Sequence, residues 1–261
     1  MTFGTAQVPY VVQNEIDFQY IDETVSPDQI IALGKNEFIL LDKTKNELIA
    51  MEGGQIKNRI GGFGMGAMSF YEPSDMVDHN LQVRVLDRYD NAIKRFDHQL
   101  NFLNVEQLSM TDHDPFYPDL ITIDPLRSDV VMSKEYGVVF DVTDNTLPII
   151  DLNQFGITGD CIIDMTSDLH GNLAFLTCQN ELVQFNRFGR LMKKVPVDIS
   201  GPKFILYYIN EWIIFNENGG SVTTSDSHRS IPLFEKEHIL SVDAHFQDLV
   251  VLTNKRILVL Q

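Results

Sequence analysis

Apolar and polar positions in this chain alternate in short runs, and the three-and-four spacing of an amphipathic helix is nowhere sustained; Phe102 to Met110 comes nearest. One phrase recurs instead. A small polar residue leads into four or so apolar or β-branched residues, then a polar turn, then a second short strand. The first strand of the phrase covers Asn36–Asp42, Asn80–Asp87, Ser128–Ser133, Gly171–Thr177, Asn210–Asn216 and Gln247–Thr253. The second covers Glu47–Met51, Ala92–Phe96, Tyr136–Phe140, Glu181–Phe185, Ser221–Thr224 and Arg256–Leu260. Turns such as Lys43–Asn46 and Asn216–Gly220 separate them, with the polar and glycine content that hairpins need. Counted from Phe38, Leu81, Val130, Leu173, Trp212 and Leu249, the units lie 43, 49, 43, 39 and 37 residues apart. A four-stranded propeller blade occupies about 40–50 residues.

The pattern predicts an all-β chain: a six-bladed β-propeller of four-stranded blades, one domain over residues 1–261. The blades fall at 27–60, 73–106, 118–151, 160–195, 203–234 and 238–261. The last unit stops at Gln261 after three strands, while Glu15–Ile21 is a spare alternating segment ahead of the first unit. Residues 8–21, and the strand at 15–21 in particular, are expected to complete the last blade, because that closes the ring and removes an exposed sheet edge. A monomer is expected.

Composition agrees with a chain that buries a core: 44% hydrophobic, 22% charged, with 17 Phe favouring strands. No apolar run reaches the ~18–20 residues of a spanning helix. The longest, Phe204 to Phe215, is broken by Asn210 and Glu211. Against 37 acidic residues stand 20 basic ones, a net charge of −17. A polyanion gains affinity by exchanging counterions for Lys and Arg, so a nucleic-acid partner is not expected and anionic lipid is disfavoured. Cationic ligands, metal ions and basic protein patches stay open, as does a plain role for the charge in solubility. Thr2–Ala6 resembles the tail of a secretory leader, with a small-x-small step but without a basic or apolar region before it. A periplasmic or secreted protein is one expectation; a cytoplasmic one starting at Met1 is the other.

In the second unit, Gly61–Gly64, Tyr71–Asp78, Val85–Asp87, Asn91, Ile93 and Phe96–Asp97 resemble the NHL repeat. In the fourth, Asp168–Leu173 and Asn180–Phe185 resemble it too. The likeness covers these two units, about a third of the chain. The third unit departs with the Pro-rich insertion Asp112–Pro118, and the fifth lacks the acidic turn residue. The resemblance implies a propeller used for recognition, although NHL-like rings also include enzymes.

Cys161 and Cys178 both fall in the fourth unit. Pairing Asp168 with Gly171 at its first hairpin sets the two cysteines directly opposite each other, on one face of the sheet. A disulfide there would indicate an oxidising compartment; two buried thiols acting as small hydrophobes are the alternative.

The innermost strands of a propeller line a channel, and the residues leading into them ring one mouth. Asp28, Asp75, Asp119 and Asp160 fall at that level, each just after Pro or Gly, with Lys203 and His238 on the last two blades. Four carboxylates round a mouth suit a divalent cation such as Ca²⁺, or a cationic group. Alternatively, each satisfies backbone N–H groups at its own turn. On the other face Asp78, Asp124, Asp164 or Asp168, and Asp243 follow the first strand, with His79, His170 and His245 nearby. On alternate blades these histidines are too far apart to share a metal at Zn–N distances of about 2 Å, so turn roles are expected. The insertion Thr111–Pro118 overhangs the mouth. Its Asp112, His113, Asp114, Phe116 and Tyr117 form a recognition loop, or the two aromatics pack beneath it. The run Gly62-Phe63-Gly64-Met65-Gly66 lacks the strand-to-helix setting of a nucleotide loop, and no G-x-S-x-G, HExxH or P-loop occurs. Trp212 reads as core.

The leading expectation is a non-enzymatic binding or scaffold propeller that recognises a protein or a small cationic ligand at the channel mouth. The alternative is a Ca²⁺-dependent hydrolase resembling gluconolactonase and paraoxonase propellers, with His113, His238 or Glu72 as base. A platform within a larger envelope assembly is the third. No catalytic residue is assigned, and no cofactor beyond that candidate divalent cation.

Overall fold

The computed structural model describes residues 8–21, 25–110, 115–126, 129–144 and 146–261. Six sheets stand round a common axis, each with an inner, a second, a third and an outer strand. Blade I comprises Gln29–Gly34, Glu37–Asp42, Glu47–Glu52 and Gln55–Gly61. Blade II comprises Pro73–His79, Gln82–Asp87, Ala92–Asp97 and Phe102–Gln107. Blade III is Leu120–Ile123, Asp129–Ser133, Val138–Asp141 and Ile150–Asp151. Blade IV is Ile162–Ser167, Leu173–Thr177, Glu181–Phe185 and Leu191–Pro196. Blade V holds Pro202–Tyr208, Glu211–Asn216, Gly220–Thr223 and His228–Ser230. Blade VI holds Ile239–His245, Asp248–Thr253 and Arg256–Leu260, completed by Val12–Asp17. Among the described residues no helix is long and apolar enough to cross a membrane.

The second strands are apolar on both sides because both sheet faces are covered, one by each neighbouring blade. In blade I, Phe38 and Leu40 pack on blade VI, whereas Ile39 and Leu41 pack on blade II. The same division repeats at every junction, so the core is a set of interblade clusters rather than one centre. Trp212 is buried in the cluster between blades IV and V. The second strands end on Asp42, Asp87, Ser133, Thr177, Asn216 and Thr253, at spacings of 45, 46, 44, 39 and 37. The interval of 49 disappears because Leu81 belongs to a turn, and Val83 is the true equivalent of Phe38.

Val12–Asp17 clasps Arg256–Leu260 antiparallel, from Val12 opposite Leu260 to Asp17 opposite Arg256. The clasp starts three residues and ends four residues ahead of the expected 15–21. Asp17 turns its carboxylate onto the Gln19 N–H, 2.9 Å away, and Phe18–Tyr20 leave the sheet as a 3-10 turn with Phe18 buried. Val8–Pro9, expected on the last blade, joins blade V instead, parallel to Arg229–Ser230. Tyr10 then buries its ring beneath the Arg229 guanidinium, 3.8 Å away, with its hydroxyl 3.2 Å from Ser221 Oγ. Thr2–Ala6 lies outside the described residues.

All inner strands run in one sense along the axis. Turns between inner and second strands therefore share one face, here the far face. Turns between second and third strands, together with the links from blade to blade, share the other, the mouth face.

Candidate functional site

A cavity of about 1060 Å³ runs between the inner strands to the mouth face, where Lys43, Arg88, Lys134 and Lys203 alternate with Asp28, Glu72 and Asp119. Asp28 and Asp119 hold equivalent places. Each carboxylate accepts the backbone N–H just after the second strand, Lys43 N at 2.7 Å and Lys134 N at 2.6 Å. The Lys43 ammonium then reaches the Ser74 carbonyl of the next blade. Arg88 Nε donates to Asp119 at 3.1 Å, and Lys203 pairs with Glu217 at 3.0 Å.

The expected ring of four acids does not form. Asp75 lies one residue further in, past a bulge between Pro73 and Asp75. Asp160 is exposed in the 3-10 turn Gly159–Cys161, His238 is exposed with its N–H held by Asn254 Oδ1, and neither lines the cavity. A bulge adds one residue to one strand, so counting from a preceding Pro or Gly places similar letters at different depths.

The acids that do reach deep into the channel are Asp75, Asp164 and Asp243, on blades II, IV and VI. Each accepts an inner-strand N–H of the next blade: Ile121 N at 2.9 Å, Ile205 N at 2.8 Å and Ala32 N at 2.8 Å. Those donors sit on the channel edge, where no further strand can pair them, and a carboxylate takes the place of the missing carbonyl. Gln29 Nε2 also donates to Asp75 at 2.7 Å. Enclosure by the ring disfavours the charged form and pushes all three pKa values up, Asp164 and Asp243 to about 7. The charge of Asp75 adds to the rise at Asp164, and that of Asp78 to the rise at Asp243. The sequence signal for such a residue is a lone acid inside an apolar inner strand, as in Ile162-Ile163-Asp164-Met165.

Among the described residues no group of three His, Cys, Asp or Glu side chains could hold a metal ion. The mouth acids are already engaged by backbone N–H groups and Arg88, and Lys43 and Lys134 stand among them. These residues do not fit Ca²⁺. His79, His170 and His245 lie at far-face turns on three separate blades.

The glycine-rich run places an aromatic rim on the mouth. A side chain at Gly61, φ 122°, would meet Asn46 O at 2.3 Å, so the link leaves blade I only through glycine. Phe63, 71% exposed, leans on Tyr71 with ring centres 4.7 Å apart, and Tyr71 stacks on Tyr89 at 4.3 Å. Beside them, Arg88 is bracketed by Asp119 at 3.1 Å, Glu72 at 3.4 Å and Glu135 at 3.8 Å. Asp112, His113 and Asp114 lie outside the described residues. Phe116 is fully buried, edge-on to Phe140 at 5.5 Å, so it packs beneath its loop instead of presenting itself. Tyr117 is half-buried with Arg88 over its ring, and Asn91 Oδ1 holds the N–H groups of both Phe116 and Tyr117 at 3.1 Å. Cys161, at the end of the 3-10 turn before the inner strand of blade IV, is joined as a disulfide to Cys178, just after the second strand, Cα atoms 4.9 Å apart.

No family model matches the chain, and no curated protein matches it. Solved structures share the ring. Virginiamycin B lyase from Staphylococcus aureus is similar over 97% of this chain and 99% of its own, at 14% identity and a TM-score of 0.63. The WD40 propeller domain of Doa1 is similar over 97% of both chains, at 9% identity and 0.61. YCF48, bound to the D1 peptide, is similar over 97% of this chain and 99% of its own, at 10% identity and 0.57. At such identities the likeness shows the fold alone.

Proposed function

We propose that this chain is a binding propeller that takes a protein segment at the mouth face. An apolar or aromatic side chain of that segment rests on the Phe63–Tyr71–Tyr89 stack, and a neighbouring Lys or Arg faces Glu72, Asp119 and Glu135. The observation that carries this reading is the stack itself: Phe63 and Tyr89 stand exposed on either side of the half-buried Tyr71 at the edge of an open cavity, where folding alone gains little from them. Arg88 is the cation that pairs with Glu72, Asp119 and Glu135, while the Lys134 ammonium reaches the Ile163 carbonyl at 3.5 Å, so the carboxylates outnumber their paired cation at that corner, which suits a basic residue.

All three rings belong to the unit whose sequence resembles the NHL repeat, and recognition is what that resemblance implies. YCF48, with its bound peptide, offers a precedent for a ring of this shape. The Cys161–Cys178 bond supports a place outside the reducing cytoplasm. Panning a random peptide library on the folded protein, followed by calorimetry, tests the reading. Enriched peptides should pair an aromatic or large aliphatic residue with Lys or Arg. They should lose at least about tenfold in affinity for the Phe63→Ala/Tyr89→Ala protein. Equal binding by both proteins would sink the idea.

A further inference from the structure

Five of the six far-face turns between inner and second strands carry a large apolar side chain held out in water. They are Leu81 (75% exposed), Leu126 (62%), Leu169 (65%), Ile209 (65%) and Phe246 (87%), on blades II to VI; blade I has Lys35 there. These are turn positions, where Asn, Asp and Gly prevail for conformational reasons. Three of them adopt positive φ: Leu81 at 61°, Ile209 at 46° and Phe246 at 55°. For an L-residue other than Gly or Asn that backbone costs roughly 1–2 kcal/mol, and a β-branched side chain is an outlier there. Burial returns little, because the side chains stay mostly in solvent and the one ring contact is Phe246 against His245, centres 4.4 Å apart. Neither turn geometry nor the core accounts for these residues. Leu147 (76%) and Phe188 (72%), on the outer turns of blades III and IV, widen the apolar surface on the same face.

We propose that this ring of tips is the docking surface for a second protein, whose contact patch is apolar at its centre and basic at its rim. One exposed apolar side chain on each of five successive tips of one face, three of them at positive φ, is the pattern of an interaction face. The basic rim follows from charge. Glu37, Glu211 and Asp248 flank the tips, Lys35 is the one Lys or Arg among the described residues of the tip turns, and the chain carries −17. The same acidity repels a second copy of this face and anionic lipid alike. The inner strand of blade II is 7 residues long, which puts roughly 20 Å between tips and mouth. The far-face site is thus independent of the mouth, and with both occupied the ring bridges two proteins.

The test uses the full chain and a defined probe. A helical peptide of about 14 residues, four turns, carries leucine on one face and lysine on the other; its counterpart has glutamate for lysine. By fluorescence anisotropy the Leu/Lys peptide should bind wild type and weaken at least about tenfold for Leu81→Asn/Ile209→Asn/Phe246→Asn. Because leucine beside lysine also suits the mouth stack, the tip variants are compared in the Phe63→Ala/Tyr89→Ala background, where tip-dependent binding should persist; this separates the far-face site from the mouth. The triple variant should melt no lower than wild type, since Asn is at home at positive φ. Equal binding by the triple variant overturns the docking face, and equal binding of the Leu/Glu peptide overturns the basic rim. Tip-dependent self-association in sedimentation overturns the choice of partner. So does tip-dependent binding to phosphatidylcholine vesicles that exceeds binding to the Leu/Lys peptide.

Discussion

The second-to-third-strand turns of the mouth face place only Asn46, Asn91, Gly137, Asn180 and Gly219 in left-handed backbone, whereas the inner-to-second-strand turns of the far face put Leu81, Ile209 and Phe246 there beside Asn80, Asn210 and Gly171. The first group is what hairpin chemistry prefers, and its members also organise neighbours: Asn91 ties the link to blade III through the N–H groups of Phe116 and Tyr117. The second group opposes local preference and touches little. Beneath the tips the far face has its own frame, with Asp129 holding Arg84 at 2.7 Å and Arg95 at 2.8 Å. The tips stand outside that frame. The difference teaches that the mouth-face turns serve the fold, while the far-face tips serve something the fold does not contain. Substitutions should therefore be costly on the first face and free, or favourable, on the second.

The largest cost is expected at Arg256, at the mouth end of the last blade. Its guanidinium is buried, pairs with Glu237 at 2.9 Å and 3.1 Å, reaches Glu15 of the closing strand, and lies under Phe234. Arg256→Met strands a buried carboxylate and should destabilise by about 3–5 kcal/mol in urea unfolding. Adding Glu237→Leu should recover a good part of that loss, because the uncompensated charge then goes as well. A small loss from Arg256→Met alone would mean that the mouth face is not held as described. Next comes the disulfide, which closes a sequence separation of 17 residues. Its removal in Cys161→Ser/Cys178→Ser should cost about 3 kcal/mol by the same measurement.

Stability against pH sharpens the comparison from inside the channel. In the fold Asp164 and Asp243 keep their protons up to about pH 7, whereas in the unfolded chain they release them at about 4. Between those values the folded state binds more protons, so stability is fullest below about pH 4 for these groups and falls as pH rises to about 7. Asp87 and Glu237 act the other way. Burial raises them, but donated hydrogen bonds outweigh it and hold both below their ordinary range, so their contribution is lost only in acid. The melting temperature should therefore climb by several degrees from pH 8 to pH 5. Asp164→Asn/Asp243→Asn, which keeps an oxygen for Ile205 N and Ala32 N, should raise the pH 8 value and flatten that slope. An unchanged slope would show that channel water leaves both acids charged.

How much of this was legible follows from what each residue type reports. Second strands covered on both faces give unbroken apolar runs such as Phe38-Ile39-Leu40-Leu41, and those fixed the number of blades. The mouth was harder, because a bulge is silent in a period-two pattern: Asp75 and Asp160 shared a neighbouring Pro or Gly with Asp28 but not its depth. Cys161 and Cys178 face each other by a register different from the one expected. Ser167 pairs with Leu173 rather than Asp168 with Gly171, and a bulge between Ile162 and Asp164 offsets the slip. Phe63 hid in a run read for its glycines. Leu81 hid more completely, since an apolar tip beside an apolar strand looks like the start of that strand. Only φ and exposure together separate the two.

That last point yields the smallest effect and the most discriminating one. Asn80 and Leu81 both have positive φ, 52° and 61°, and join His79 to Gln82 as a two-residue turn. Such a turn accepts Asn followed by Gly best, because both central residues must be left-handed. Leu81→Gly should therefore stabilise blade II by roughly 1 kcal/mol, less the entropy that glycine brings to the unfolded chain. The same change at a mouth turn, Asn91→Gly, removes the acceptor for Phe116 N and the donor to Leu108 O, and should destabilise instead. Opposite signs at two left-handed turns of one blade are the signature of a residue kept for contact rather than for folding. If Leu81→Gly lowered the urea midpoint, the leucine would be stabilising its own hairpin, and the far-face ring would lose one of the three residues that set it apart.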